Sequence, residues 1–141
     1  MAAWNLLLGQ ADHAPRALRA AMEIKRALTE FNQKQPKELT IKIGMGITTG
    51  DVIAGRIGTA AQAEYTILGE IISVAERLAM KPERSVFIDA ATFAYLGDEF
   101  QTREVKPIKL RRETDPHQVW QVFLPTEQGE TESADLPARE I

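Results

Sequence analysis

Residues 39–48 constrain this chain more than any other stretch. Leu39, Ile41, Ile43, Met45 and Ile47 alternate with Thr40, Lys42, Gly44, Gly46 and Thr48. A period of two predicts a β-strand with one apolar face. Gly44 and Gly46 leave the other face bare. Glycine inside a strand costs stability and marks a place where another backbone or a ligand comes close. Thr49, Gly50 and Asp51 supply turn chemistry, so residues 52–57 read as the return strand of a hairpin. Gly55 and Gly58 thin the side chains there too. A loop over 59–63 follows, then a short strand over 64–68 closed by Gly69.

The flanking segments complete the pattern. The apolar run 2–8 reads as the end of a buried strand. Asp12 is a helix N-cap, with Pro15 in the first turn, where proline is tolerated. Ala17, Ala21, Ile24, Leu28 and Phe31 form the stripe of an amphipathic helix that Gln35 and Pro36 end. Ile71, Val74, Ala75 and Leu78 predict a second helix, stopped by Pro82, with Glu70, Ser73 and Arg77 stacked on one face. A strand over 85–88, a short helix over 90–96 and a turn over 97–100 come next. Strands over 104–110 and 119–124, joined by a polar turn at 113–116, close the domain. The order β-α-β-β-β-α-β-α-β-β implies an α+β sandwich around a mostly antiparallel sheet.

At 141 residues the chain holds one domain and can bury a core without staples. It has no cysteine, which excludes a disulfide framework, a thiolate zinc site and a cysteine nucleophile. That composition fits a reducing, cytoplasmic setting. With 17 basic and 20 acidic residues the net charge is −3, unlike a general nucleic-acid binder. No apolar run is long enough to span a membrane, and the apolar start lacks the basic flank of a secretory signal. Residues 125–141 carry five acids and one base with few large aliphatics, so they read as a flexible acidic tail on a domain of residues 1–124.

Few residues offer chemistry by spacing alone. His13 and His117 stand 104 positions apart, without metal-ligand spacing. There is no GxxxxGK[ST] loop and no GxSxG elbow. Asp51 and Asp89 read as backbone caps. Thr66 reads as an ordinary strand threonine, and Arg77 as a helix-surface charge pairing with Ser73 or Glu76.

Order and spacing carry more. Gly46-Ile47-Thr48-Thr49-Gly50 is followed by Ala54-Gly55-Arg56-Ile57-Gly58, then Tyr65-Thr66-Ile67-Leu68-Gly69, then Ile72-Ser73-Val74-Ala75-Glu76-Arg77-Leu78. This series resembles the class III adenylate/guanylate cyclase catalytic domain. Residues 1–5, the Asp12-His13-Ala14 start of the first helix and Leu110-Arg111-Arg112 also look like segments of that family. The resemblance implies a ferredoxin-like nucleotide-cyclase sandwich, N-terminally incomplete, that works as a homodimer on ATP. It implies Mg²⁺ or Mn²⁺ as cofactor, with both metal-binding aspartates and the base-reading lysine upstream of Met1, so that no metal ligand lies in this chain. Thr66 matches a base-reading position where Asp or Thr goes with adenine. Ser73 stands where the family has a ribose-positioning asparagine, and is shorter. Arg77 matches the arginine that stabilises developing phosphate charge. The hairpin glycines read as backbone-packing positions at a dimer seam. Two readings follow: part of an adenylate cyclase, inactive as this fragment, or a non-catalytic cyclase-like module that dimerises or regulates. An unrelated ferredoxin-like domain is the third.

Overall fold

The computed structural model describes residues 1–6, 8–59, 61–110 and 115–123. The elements are α1 (His13–Gln33), a 3₁₀ turn (Lys37–Leu39), β1 (Met45–Ile47), β2 (Ile53–Thr59), β3 (Gln62–Leu68), α2 (Glu70–Ala79), β4 (Val86–Asp89), α3 (Ala90–Ala94), β5 (Gln101–Ile108) and β6 (His117–Phe123). The tail read over 125–141, Arg111 and Arg112 lie outside the described residues, as does much of the turn read at 113–116.

Val86, Phe87 and Ile88 are buried without alternation, as a strand covered on both faces must be. β4 accordingly sits inside a four-stranded sheet of order β1-β4-β6-β5. It is parallel to β1 and antiparallel to β6. Leu18, Ala21 and Met22 of α1 pack with Val86, Ile88 and Val122 on one face of the sheet. Val74 and Leu78 of α2 pack with Phe87, Ile108 and Val119 on the other. The fold is therefore α+β, with a mixed sheet between helices. The bare face of β1 has a clear use. A Cβ on Gly44 would run into the carbonyl oxygen of Ala79, and one on Gly46 into that of Ala75. The two glycines let the α2 backbone lie directly on the strand.

Several expectations need correction. The strand expected over 39–48 is confined to Met45–Ile47, because β4 offers ladder partners only to those residues. Upstream, Leu39 belongs to the 3₁₀ turn, and Asn32 of α1 clamps Ile41 instead of a strand. Its Nδ2 donates to the Ile41 carbonyl at 2.8 Å, and its Oδ1 accepts from the Ile41 amide at 3.0 Å. The hairpin is also different. β2 does not return along β1; it pairs with β3 from Ile53↔Leu68 to Thr59↔Gln62, as a separate two-stranded sheet. A tight local reversal costs less closure entropy than a longer one. Gly58 takes a positive φ of 137° near its tip. Residues 59–63 are thus largely ladder and turn, where a loop was expected.

Among the described residues of the run 2–8, none lies in a strand. Asn5 adopts φ 63°, which breaks an extended run, and its side-chain oxygen accepts the Gln10 amide. Asp12 does occupy the N-cap position, but φ −98° and ψ 25° aim its side chain elsewhere, and it makes no cap hydrogen bond. It accepts from Arg16 Nε at 2.8 Å, a hydrogen bond that holds the Asp12 carboxyl below its ordinary pKa. The buried stripe of α1 is Ala14, Ala17, Leu18, Ala21 and Met22, whereas Ile24 and Phe31 are 52% and 46% exposed. The first half of the helix lies on the sheet, and the second half has no described strand beneath it. By contrast α2, β4, α3 and the β5–β6 ribbon form as expected. Asp89 caps α3 through the Thr92 amide at 2.9 Å. The ribbon shifts register between Val105 and Ile108, around Pro107, which has no N–H for the ladder.

Lys25 ties α1 to the sheet. Its Nζ donates to Ser85 Oγ at 3.3 Å, and Gln121 Nε2 donates to the same oxygen at 3.1 Å. Burial pushes the Lys25 amine below its ordinary pKa. The folded state then gives up this proton at lower pH than the unfolded chain does. The desolvation penalty applies while the amine is charged, and fades as pH climbs from the lowered value toward the ordinary ~10.4.

Two outcomes are expected. Gly46→Ala should lower stability by about 1–3 kcal/mol, since α2 must lift off β1 to admit the methyl group; urea denaturation followed by circular dichroism measures this. Lys25→Met should melt at or above the parent near neutral pH, and that advantage should shrink as pH approaches ~10.4. A melting difference that stays flat across this range would show that Lys25 is not penalised by burial.

Candidate functional site

β3 leads into α2 through a single extended residue, Gly69, at φ 172°. Added carbon there would press on Val52 Cγ1 at 3.0 Å and the Asp51 carbonyl at 3.1 Å, so a larger residue needs these neighbours to give way slightly. Two hydroxyls after β1 tie it to the neighbouring helices, one to the first turn of α2 and one to α3. Thr48 Oγ1 donates to the Ile71 carbonyl at 3.0 Å, and Thr49 Oγ1 meets Thr92 Oγ1 at 2.9 Å. Composition did not single out these two threonines. Their signal is a Thr-Thr-Gly run immediately after a strand.

The hairpin and α2 carry the three expected site residues. Thr66 is half-buried on β3, directly across from Gly55 on β2. Ser73 and Arg77 are exposed on α2, about one turn apart, on the face that also holds Glu70. Val74 and Leu78 anchor the same helix in the core, which fixes the direction of that face. Among the described residues, none of these three side chains has a hydrogen-bond or ion-pair partner. The surface pairing read for Arg77 with Ser73 or Glu76 is therefore not formed. The guanidinium keeps its donor fork for something else.

A concavity lies elsewhere. A cleft of about 680 Å³ runs beside β1 between α1 and α2, and Trp4, Ala17, Ala21, Ile24, Ile71 and Ala75 supply much of its wall. Thr66, Ser73 and Arg77 do not line it. Ile67, Ile72 and Glu76 do, because successive strand residues point to opposite faces and adjacent helix residues are turned by about 100°. The cleft holds two carboxylates, Asp51 and Glu76, together with His13. His13 meets Tyr95 in a tilted ring contact, with centroids 4.8 Å apart. Among the described residues, no three His, Cys, Asp or Glu side chains converge as a metal site. No helix among them is long and apolar enough to cross a membrane.

Comparisons with known proteins fit this architecture. Residues 1–125 match the family described as the adenylate and guanylate cyclase catalytic domain. The chain is 27% identical over 126 residues to adenylate cyclase 1 of Rhizobium meliloti (strain 1021), covering 86% of this chain and 19% of that protein. It is likewise 27% identical over 116 residues to adenylate cyclase type 10 of Rattus norvegicus, covering 78% of this chain and 7% of that protein. The crystal structure of the guanylyl cyclase Cya2 superposes with a TM-score of 0.67 at 27% identity, over 93% of this chain and 66% of that one. The adenylyl cyclase CyaB from P. aeruginosa gives a TM-score of 0.63 at 25% identity, over 84% and 63%. The chain thus spans less than a fifth of these curated relatives and about two thirds of these solved cyclase chains. With residues 1–125 matching the family and its helices packed around one mixed sheet, this chain belongs to the adenylate and guanylate cyclase catalytic domain family.

Proposed function

We propose that this nucleotide cyclase domain belongs to an adenylate cyclase, which converts ATP to cyclic AMP and pyrophosphate in intracellular signalling. The reading places it in the cytoplasm, where ATP is plentiful, and pairs it with a second copy. Arg77 carries the proposal. It is a fully charged fork on a rigid helix, adjacent to acids, yet without an ion-pair partner among the described residues.

In the proposed reaction the ribose 3′-hydroxyl gives up its proton to solvent, its oxygen bonds to the α-phosphorus, the bond to the departing pyrophosphate breaks, and negative charge grows on the phosphate oxygens. A guanidinium aimed at those oxygens gains most where the charge peaks. Ser73, one turn earlier on the same face, is the group for the ribose. Thr66 reads the base edge, since a hydroxyl both donates and accepts. Mg²⁺ or Mn²⁺ is the expected cofactor and would offset phosphate charge. The described residues do not gather ligands for it, so we assign no step to the metal here. Ser73 also favours a second reading. Its side chain reaches less far than the asparagine of the resemblance, as in a module that dimerises or regulates without turnover.

In the native full-length protein, Arg77→Ala should lower kcat roughly 10²–10³-fold and change KM little. Arg77→Lys should restore only part, because a point ammonium lacks the planar fork. Steady-state cyclic AMP formation measures both. A kcat within about threefold of the parent, far short of the loss of one such donor, would make Arg77 a surface residue only. Ser73→Asn separates the two readings: higher turnover supports the enzyme, and no change supports the module.

A further inference from the structure

One end of the four-stranded sheet gathers cations that the fold does not pair. Val86 stands opposite Val122, and Gln101 opposite Phe123, so β4 and β5 begin where β6 ends. A chain of hydrogen bonds crosses this end. Arg103 Nη2 donates to Gln121 Oε1 at 2.9 Å, Gln121 Nε2 donates to Ser85 Oγ at 3.1 Å, and Lys25 Nζ donates to the same oxygen at 3.3 Å. Lys81, just past α2, holds its Nζ 5.1 Å from the centroid of the Phe87 ring. Phe87 is the cross-strand neighbour of Gln121. Arg103 in turn lies over the Phe123 ring at 5.2 Å. Among the described residues, Lys25, Lys81 and Arg103 have no ion-pair partner. Glu83, two residues from Lys81, is exposed and likewise makes no ion pair among them.

Donors outnumber acceptors in this group. Ser85 is 4% exposed, and its oxygen already serves two donors. Gln121 gives its side-chain oxygen to Arg103. Lys25 and Arg103 keep most of their N–H groups unused. Burial pushes the half-buried Lys25 amine down, and no carboxylate pulls it back. The acceptor that suits both cations is a carboxylate, which also takes a guanidinium fork. The chain supplies carboxylates at this very place. β6 ends at Phe123, beneath Arg103, and residues 125–141 carry five acids and one base. Glu127 is four residues past Phe123, a reach of about 13 Å when extended. Glu130 and Glu132 follow it. An exposed ion pair adds little by itself. A tether, however, holds these acids near the cations at an effective concentration on the order of mM. A free anion has no such advantage.

We propose that the acidic segment after β6 folds back over this end of the sheet, where Glu127, Glu130 and Glu132 meet Arg103, Lys81 and Lys25. The segment is then a strap that joins α1, the end of α2 and the β5–β6 ribbon, the elements that carry the three cations. Its hold is electrostatic, so it loosens as salt rises. It is independent of the nucleotide reading above, since none of Thr66, Ser73 and Arg77 takes part in it.

The chain has no cysteine, so Ala134→Cys takes a single nitroxide label in the ¹⁵N-labelled 141-residue protein. The label should broaden the Arg103 Nε–H and Gln121 Nε2–H signals and the Ser85 amide. Connectivity alone brings it toward β6, so the comparison is with the same labelled chain carrying Glu127→Gln, Glu130→Gln and Glu132→Gln. The neutralised segment should cut the broadening at these three signals about twofold or more and shift Arg103 Nε–H. Salt at about 1 M, where the screening length is ~3 Å, should do the same to the charged segment. Arg103→Gln, at an exposed position, should lower the broadening at Ser85. Equal broadening with charged and neutral segments overturns the strap, and so does broadening that ignores salt. The salt series needs no charge substitution, so it tests the strap even where a variant fails to fold. Broadening seen only between separately labelled chains in a mixture would seat the segment on a second copy, and overturns the proposal. Inorganic phosphate that shifts Arg103 Nε–H equally with both segments, while the label effect stays the same, would make the cluster a site for a free anion and also overturns it.

Discussion

Helix backbone lying on strand backbone is the contact that sets the rest of this domain. α2 crosses β1 where Gly44 and Gly46 present no side chain to the carbonyls of Ala75 and Ala79. With the helix seated that close, Thr48 can reach the first turn of α2, and Val74 and Leu78 reach Phe87 and Val119. The same seating decides which way the other faces of α2 look. Glu70, Ser73 and Arg77 turn outward because the opposite side is spent on the sheet and the cleft. An extra methylene at either glycine would displace all of these groups together, since packed interiors transmit small changes in volume.

The other helix is held differently. α1 rests on the sheet through Leu18, Ala21 and Met22 and is pinned by side chains at its edges. Arg19 forks onto Glu99 with both bonds at 2.7 Å, and holds that carboxyl below its ordinary pKa. Lys25 reaches Ser85, and Asn32 grips the backbone of Ile41. These polar ties position a helix whose second half has no apolar support from the described sheet. They also leave Ile24, Phe31, Ile41 and Ile43 as an exposed apolar band. β1 is the edge strand of the sheet, and its outer side opens on the alanine-walled cleft.

The candidate site residues and the cleft beside β1 lie on different faces. The cleft holds two carboxylates and a histidine among apolar walls. Thr66, Ser73 and Arg77 do not line it. They stand on a hairpin and a helix face, without side-chain hydrogen-bond partners among the described residues.

The sequence by itself determined the conformation of β4, α2 and the segments around them, and it nominated the candidate site residues. The unbroken apolar run at Val86–Ile88, the helical stripe from Ile71 to Leu78 and the glycine-punctuated order from Gly46 to Leu78 were all legible. They report dihedral preference and the burial of one face, which are properties of neighbours in the chain. Thr66, Ser73 and Arg77 were nominated by their places in that order. Strand pairing was not legible. Residues 39–44 alternate as cleanly as Met45–Ile47, yet form no ladder, because β4 is only four residues long. β2 chose β3 over β1 because that closure is shorter. Glycine was equally silent, since Gly46 and Gly55 look alike in a strand pattern. Only the tertiary structure showed that one admits a helix backbone and the other faces open space, because what a missing side chain makes room for is decided by segments distant in sequence.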